Sequence, residues 1–462
     1  MSRSLTVLVL LPCLLYAQPI ELDMEVFSQR RESFMSQLQP GGYAIFPCKP
    51  EYLRNLDVEY EYRQESNFYY LSGFEEPESI LLLNPSAPRY KFVLFVRKRD
   101  RRRETYDGPR AGVEGAMSVF KADTALYFSE FNSSFHSFIS FRGPLYYTFG
   151  INPSIDDMIR EFCIEGRSGM NCPLIDPAPI LAEMRLIKNE GDWKTGLAGA
   201  IDISAQAHIE AMKAIRPGMY EIEIQAVFES TFRKLGSPRN GYSCIVGSGP
   251  NSGILHYNKN TRKMLDGEVV LMDCAAEYGY YSADITRTVP VNGRFSPEQR
   301  EVYEIVLEAQ TAAMNMVKPG ITLSDLDSAI SGVLGSGLTK LGFIKDKKDY
   351  FMFSLHGYCH WIGLEVHDVG GYSERGKSVS LRPGMVFTIE PGIYVRPDVF
   401  DSMKDRGYTD DERARFRDRV SQFLNIGIRI EDDVLVTADG YRNLSAAVPR
   451  SIEEIERTMG MR

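Results

Sequence analysis

A chain of 462 residues, 44% hydrophobic and 25% charged, is long enough for two or three domains that each bury a core, and too apolar for a disordered polymer. Its net charge of -9 excludes a general nucleic-acid binder, which would carry a basic patch or stripe. Seven cysteines without a CxxC pair exclude a thiolate zinc site.

The N-terminus, "MSRSLTVLVLLPCLLYAQPIELD", has one basic residue, an apolar run from Leu5 to Tyr16 and the small Ala17 before polar sequence. That pattern predicts a secretory signal peptide over residues 1–17. The run is shorter than the ~20 residues of a membrane span, so the expectation is an exported protein, periplasmic or secreted, with no stable membrane anchor. Export permits disulfides, and Cys163 with Cys172 is the nearest pair.

From Glu21 to about residue 180, strand-like runs ("YAIFP", "SILLLNP", "YKFVLFV", "LYYTFG") alternate with helical patterns such as "MEVFSQRRESFMSQL". The alternation predicts an α/β domain. The basic run "RKRDRRRE", Arg97 to Glu104, follows one strand and precedes the turn-like "YDGPRAG", so it reads as a solvated hairpin or loop. Pro173, Pro177 and Pro179 then break the pattern and place a domain boundary near 180, with a long amphipathic helix starting near Asn189.

The second half contains an echo. "HIEAMKAIRPGMYEIEIQAVF" and "TAAMNMVKPGITLSDLDSAI" each read as helix, basic-Pro-Gly turn and helix, which predicts a duplicated helix pair with its own sheet. Between them, "GEVVLMDCAAEYGYYSADITRTVPV" reads as two strands joined at Gly279. A turn centred between Tyr278 and Gly279 sets Asp273 directly opposite Asp284, with β-carbons ~4.5–5.5 Å apart, a placement that repels unless a cation lies between them.

Further on, "LHGYCHWIGLEVHDVG" gathers His356, His360 and His367, half of the six histidines. His356 and His360 have the spacing of one helical face, but the absence of HExxH excludes the zincin arrangement. Glu390 closes the strand-like "GMVFTIE". Glu431, in "IGIRIEDDVLVT", lies two residues from Arg429 on the same side of a strand, where Arg429 serves as its simplest counter-ion. "PDVFDSMKDRGYTDDERARFRDRVSQF", residues 397–423, is charge-rich and helical and reads as a surface insertion without chemistry. Four acids with few nitrogen ligands suit hard or borderline divalent ions, Mn²⁺ first and Co²⁺ or Zn²⁺ also. Four negative charges balance two such ions, and a two-metal site performs hydrolysis.

Taken together, "HYN" at His256, "MDCAAEYGYYSADITRTV", "HGYCHWIGLEVHDVGG", "TIEPGIY" and "GIRIEDDVLVTADGYRNLS" resemble the pita-bread metallopeptidases, in the aminopeptidase P and prolidase branch. "RNLDVEYEYRQESNFYYLSGFEEPES" and "YDGPRAG" resemble the non-catalytic domain of that branch. The resemblance implies an α/β (α+β) protein with an N-terminal domain over 21–180 and a pita-bread catalytic domain over 181–462. It implies two divalent ions on Asp273, Asp284, His360, Glu390 and Glu431, with Asp284 and Glu431 bridging both. His256 and His367 are expected to face the scissile bond and His356 to lie beside it. Glu390 is expected to shuttle the proton of a bridging hydroxide, while Tyr394 and Arg429 support the site and Asp57 reaches Arg429 from the N-terminal domain. The implied activity is hydrolysis of an N-terminal Xaa-Pro bond in a proline-containing peptide by a dimer or tetramer of this chain. Alternatives are a dipeptide-restricted prolidase and a non-catalytic or metal-free relative resembling creatinase, against which the intact ligand set argues. Cys274 and Cys359, beside two ligands, read as small core residues.

Overall fold

The computed structural model describes residues 23–139, 143–164, 173–374 and 376–460. The leader-like residues 1–17 and Cys172 lie outside them. The chain divides into two compact units, Glu21–Ile187 with Val369–Gly371, and Lys188–Asp368 with Tyr372–Arg462.

In the first unit the strands Tyr43–Pro47, Ile80–Leu83 and Phe92–Val96 are buried along their whole length, because both faces of their sheet are covered, and so they read as unbroken apolar runs. The six-stranded sheet runs Thr124–Tyr127, Phe92–Val96, Ile80–Leu83, Tyr43–Pro47, Leu145–Tyr146, Leu174–Ile175. Its three central strands pair antiparallel, and the flanking strands add in parallel. The basic run is not a loop. Asp100 accepts the N–H groups of Arg102 and Arg103 and so caps a short helix, Arg101–Asp107, which stays exposed. The division between units falls after Ile187 rather than near 180, because the helix Ala178–Leu186 is tied to the first unit: Arg185 Nη1 donates to Asn67 Oδ1 at 2.8 Å and Tyr70 OH to Met184 O at 3.4 Å.

The second unit realises the echo. Helices Ala198–Ala214 and Glu221–Lys234 form one pair, and Pro297–Met316 and Leu323–Lys340 the other. Each pair is joined by a turn whose glycine, Gly218 or Gly320, has φ near +90°, the left-handed conformation that follows proline in a type II turn. Two three-stranded sheets accompany them, Ile245–Ser248 with Val269–Asp273 and Thr286–Pro290, and Val386–Ile389 with Asp432–Val436 and Tyr441–Asn443. This is the duplicated pita-bread architecture. The 397–423 insertion forms helices Val399–Asp405 and Asp410–Val420, and it is anchored: Val399, Phe400, Met403 and Tyr408 are buried, and Tyr408 OH donates to Asp349 Oδ2 at 2.5 Å.

His208, in the first of these helices, is fully buried with Nε2 at 3.0 Å from Cys274 O, behind the strand that ends in Asp273. Burial, then the Arg287 charge, lowers its imidazole to about 3. The folded state therefore holds His208 neutral, while the unfolded chain protonates it near 6.5. Its stabilising effect is complete above pH 6.5 and is lost as pH falls toward 3. His208→Phe is expected to lose about 1 kcal/mol at pH 7, where Cys274 O loses its donor, yet to show a flatter decline in urea-unfolding stability below pH 6.5. Parallel declines in both proteins would contradict the assignment.

Candidate metal centre

The centre is built on a hairpin. Its turn lies one residue later than the sequence suggests, between Gly279 and Tyr280, whose φ angles of 56° and 69° suit the two central positions of a type I′ turn. Tyr278 consequently pairs with Tyr281, and Asp273 faces Thr286 rather than Asp284. Asp284 sits two residues from that partner. A two-residue step keeps the same face of the sheet, so the two aspartates converge as diagonal neighbours. Tyr242 OH lies 2.6 Å from Asp273 Oδ1 and 2.6 Å from Asp284 Oδ1. A hydroxyl has one proton to donate, so without a cation one of the two carboxyls must carry the other.

The histidine segment is extended, not helical. Glu390 N–H donates to Tyr358 O and Thr388 N–H to His360 O, both at 2.9 Å, which lays the segment along the strand Val386–Ile389. A spacing of four serves an extended segment as well as a helix, since it is a multiple of the two-residue period. His356 and His360 accordingly line one cavity of ≈ 380 Å³ with His256, His367, Asp273, Asp284, Glu390, Arg429 and Glu431. Tyr394 stands directly behind it.

His360 Nδ1 is 3.1 Å from Trp361 O, a contact that assigns its proton to Nδ1 and leaves Nε2 free to coordinate. Nε2 lies 3.4 Å from Asp284 Oδ2, 3.5 Å from Glu390 Oε1 and 3.8 Å from Glu431 Oε1. Burial, then repulsion from Glu431, raises Asp284 to about 8 and lifts Glu390 well above the usual carboxylate range. Burial also raises Asp273, against the pull of Arg429. Glu431 alone is held low, its burial being outweighed by His360. Although burial by itself would lower His360, the Asp284 and Glu431 carboxylates raise it.

Arg429 does not pair with Glu431. Its Nη2 binds Asp273 Oδ2 at 2.5 Å, its Nη1 donates to Tyr394 OH at 2.9 Å, and its Nε donates to Thr286 Oγ1 at 3.2 Å. Thr286 stands between, donating to Glu431 Oε2 at 2.7 Å. One strand ends at Arg429 and the next, in a different sheet, begins at Asp432, so the two residues do not share one continuous strand and the two-residue spacing does not keep their side chains together. Tyr394 OH is also 2.7 Å from His356 Nε2, whose Nδ1 lies 2.6 Å from Gly357 O and 3.5 Å from Glu390 Oε2. Burial, then Arg429, lowers His356 to about 4, so it is neutral. Asp57 lies in an exposed hairpin of the first unit, between Leu53–Asn55 and Val58–Glu59. Cys274 is buried and neither it nor Cys359 joins the ligand cluster.

Sequence reasoning missed Tyr242 and Thr286. The alternation in "DITRT" already placed Thr286 on the face of Asp284, whereas nothing local marked Tyr242, which arrives from a separate segment. It also missed Asp433, whose Oδ2 accepts the Asp284 N–H at 3.2 Å.

The residues fit a divalent cation pair. Ligand atoms of Asp284, His360 and Glu431 lie within 4.8 Å of one another. Glu431 Oε1 is buried without a hydrogen-bond partner, a cost that a cation removes. Oxygen donors with one imidazole match hard or borderline divalent ions.

Comparison with known proteins agrees with this chemistry. The profile of metallopeptidase family M24 matches residues 196–438, and that of the aminopeptidase P N-terminal domain matches residues 27–146. The Xaa-Pro aminopeptidase of Escherichia coli is 38% identical over 453 residues, covering 95% of this chain and 98% of its own. The structure of Pseudomonas aeruginosa aminopeptidase PepP superposes with a TM-score of 0.88 at 38% identity, covering 96% of this chain and 99% of its own. An Escherichia coli aminopeptidase P variant in complex with substrate gives 0.85 at 37% identity, with 95% and 99% covered.

Proposed function

Because the chain belongs to metallopeptidase family M24 and carries an aminopeptidase P N-terminal domain, we propose that it is a metal-dependent Xaa-Pro aminopeptidase, removing the first residue from peptides whose second is proline. The observation that carries this reading is the convergence of Asp273, Asp284, His360, Glu390 and Glu431 on one cavity, with His256 and His367 at its wall. Proline lacks an amide N–H and restricts the residue before it, so the bond needs a dedicated site.

Two divalent ions held by those five residues would lower the pKa of a water and polarise the scissile carbonyl. Glu390 is placed to move the proton. Its carboxylate, with Oε1 at 3.5 Å from His360 Nε2 and Oε2 at 3.5 Å from His356 Nδ1, faces the cavity where it can take a proton from the attacking water and return it to the proline nitrogen that leaves. His367, its ring centroid 4.3 Å from that of His360, presents its imidazole to the same space, where an N–H can stabilise charge growing on the carbonyl oxygen. His356, neutral and joined to Tyr394, holds Arg429 against Asp273 and so fixes a ligand from behind. We assign Mn²⁺ as the working ion on the oxygen-rich donor set. We further assign the protein to an exported compartment on its leader-like residues 1–17; among the described residues no helix is long and apolar enough to cross a membrane.

Metal-stripped protein is expected to regain cleavage of an Ala-Pro-Yaa-Yaa tetrapeptide when Mn²⁺ is added. Cleavage of Ala-Pro dipeptide alone would make it a prolidase. No metal-dependent cleavage of either would leave a binding protein.

A further inference from the structure

A second cavity adjoins the first. It measures ≈ 690 Å³, lies wholly within the catalytic unit and shares His356 and Gly357 with the metal cavity. One wall is the helix Leu323–Lys340, which turns Ser324, Asp327, Ser328 and Ser331 toward it at the spacing of a single helical face while Leu323, Leu326, Ile330 and Leu334 face the core. The opposite wall is Tyr350, Phe351, Ser354 and Leu355, with Phe351 and Leu355 partly exposed.

A polar stripe on a helix usually faces only solvent. Two observations distinguish this one. Asp327 is a half-buried acid in the wall of the cavity: its carboxylate takes the Tyr358 N–H, and its Oδ1 has no hydrogen-bond partner. Among the described residues no Lys or Arg lines the cavity, and the neighbouring Arg406 is already engaged, lying 4.8 Å over the Phe351 ring and 3.4 Å from Asp349 Oδ1. The second wall is also held from outside by the 397–423 insertion, through Arg406 and through Tyr408 on Asp349. The insertion thus shapes this cavity.

The reaction restricts what can enter. An aminopeptidase substrate has one residue on the amino side of the scissile bond, so a chain that continues out of the metal cavity is the leaving side, beyond the proline. We propose that the second cavity is a subsite for this downstream segment, in which Asp327 receives a lysine or arginine side chain. This rests on the Xaa-Pro aminopeptidase reading. The cationic end meets the carboxylate, the serine hydroxyls accept its remaining N–H groups, and the Tyr350 and Phe351 rings cover the aliphatic stem.

The test uses Mn²⁺-loaded protein and five peptides: Ala-Pro-Lys-Ala, Ala-Pro-Ala-Lys, their glutamate counterparts, and Lys-Pro-Ala-Ala. In the wild type, lysine at one of the two positions after proline is expected to exceed glutamate by about tenfold in kcat/KM, chiefly through KM. Asp327→Asn should bring that ratio close to one, and Asp327→Lys should invert it. A ratio unchanged in both variants, an equal fall on every peptide, or a lysine preference confined to the first residue would each overturn the subsite while leaving the aminopeptidase reading intact. Failure of the wild type to cleave any of the five would remove that reading and the subsite with it.

Discussion

Asp284→Ala is expected to purify without stoichiometric metal and to lose peptide hydrolysis by roughly 10³-fold or more, the scale on which a two-metal site acts. Asp284 lies nearest to His360 of the surrounding acids, at 3.4 Å, and belongs with His360 and Glu431 to the tightest ligand group among the described residues. Asp273, its neighbour on the same face, is already bound by Arg429 and Tyr242. The loss should not come from unfolding. Burial and repulsion from Glu431 raise the Asp284 carboxyl to about 8, so the metal-free protein bears a cost there that the substitution removes. Thermal melts of the metal-free proteins are therefore expected to be close, and Asp284→Asn, which keeps the volume, should melt no lower than the wild type. Metal content by emission spectrometry, read beside turnover, decides the matter: an Asp284→Ala protein that retains turnover contradicts the mechanism.

His367→Ala has a different signature. His367 is exposed at the cavity wall, outside the Asp284, His360 and Glu431 group. In the metal-free protein, burial, then the charge of His360, lowers its pKa. The variant is expected to keep its full complement of metal while losing about 10²–10³-fold in kcat, the cost of removing one donor to a developing oxyanion. A loss of metal in this variant would show that its role had been exchanged with that of His360. The pair of variants thus separates holding the ions from using them.

Much of this was legible in one dimension, for identifiable reasons. Strands such as Tyr43–Pro47 and Ile80–Leu83 are buried on both faces, so their composition alone announces them. The two Pro-Gly turns are visible because only a few residues tolerate the required backbone angles. Asp273, Glu390 and Glu431 stand out as charges at the ends of apolar runs, where burial without a partner is costly. Other features depended on choices that local sequence does not make. Moving the hairpin turn to Gly279 and Tyr280 changed the partner of Asp273, although the shift of two preserved its face. The capping by Asp100 made a helix of a basic run that composition assigned to a loop.

The sequence by itself determined the chemistry, because metal ligation depends on residue types and the residues that suit it are present in full: four acids and four imidazoles, His256, His356, His360 and His367, lining one cavity. Only the tertiary structure decided the pairings. Arg429 chose Asp273 over Glu431 because a break between strands of two sheets separates residues that adjacency would join, and Tyr242 and His208 reach the hairpin across 31 and 66 residues of chain. Charge and hydrogen-bonding capacity are properties of a residue, whereas the partner that satisfies them is set by which segments are buried together.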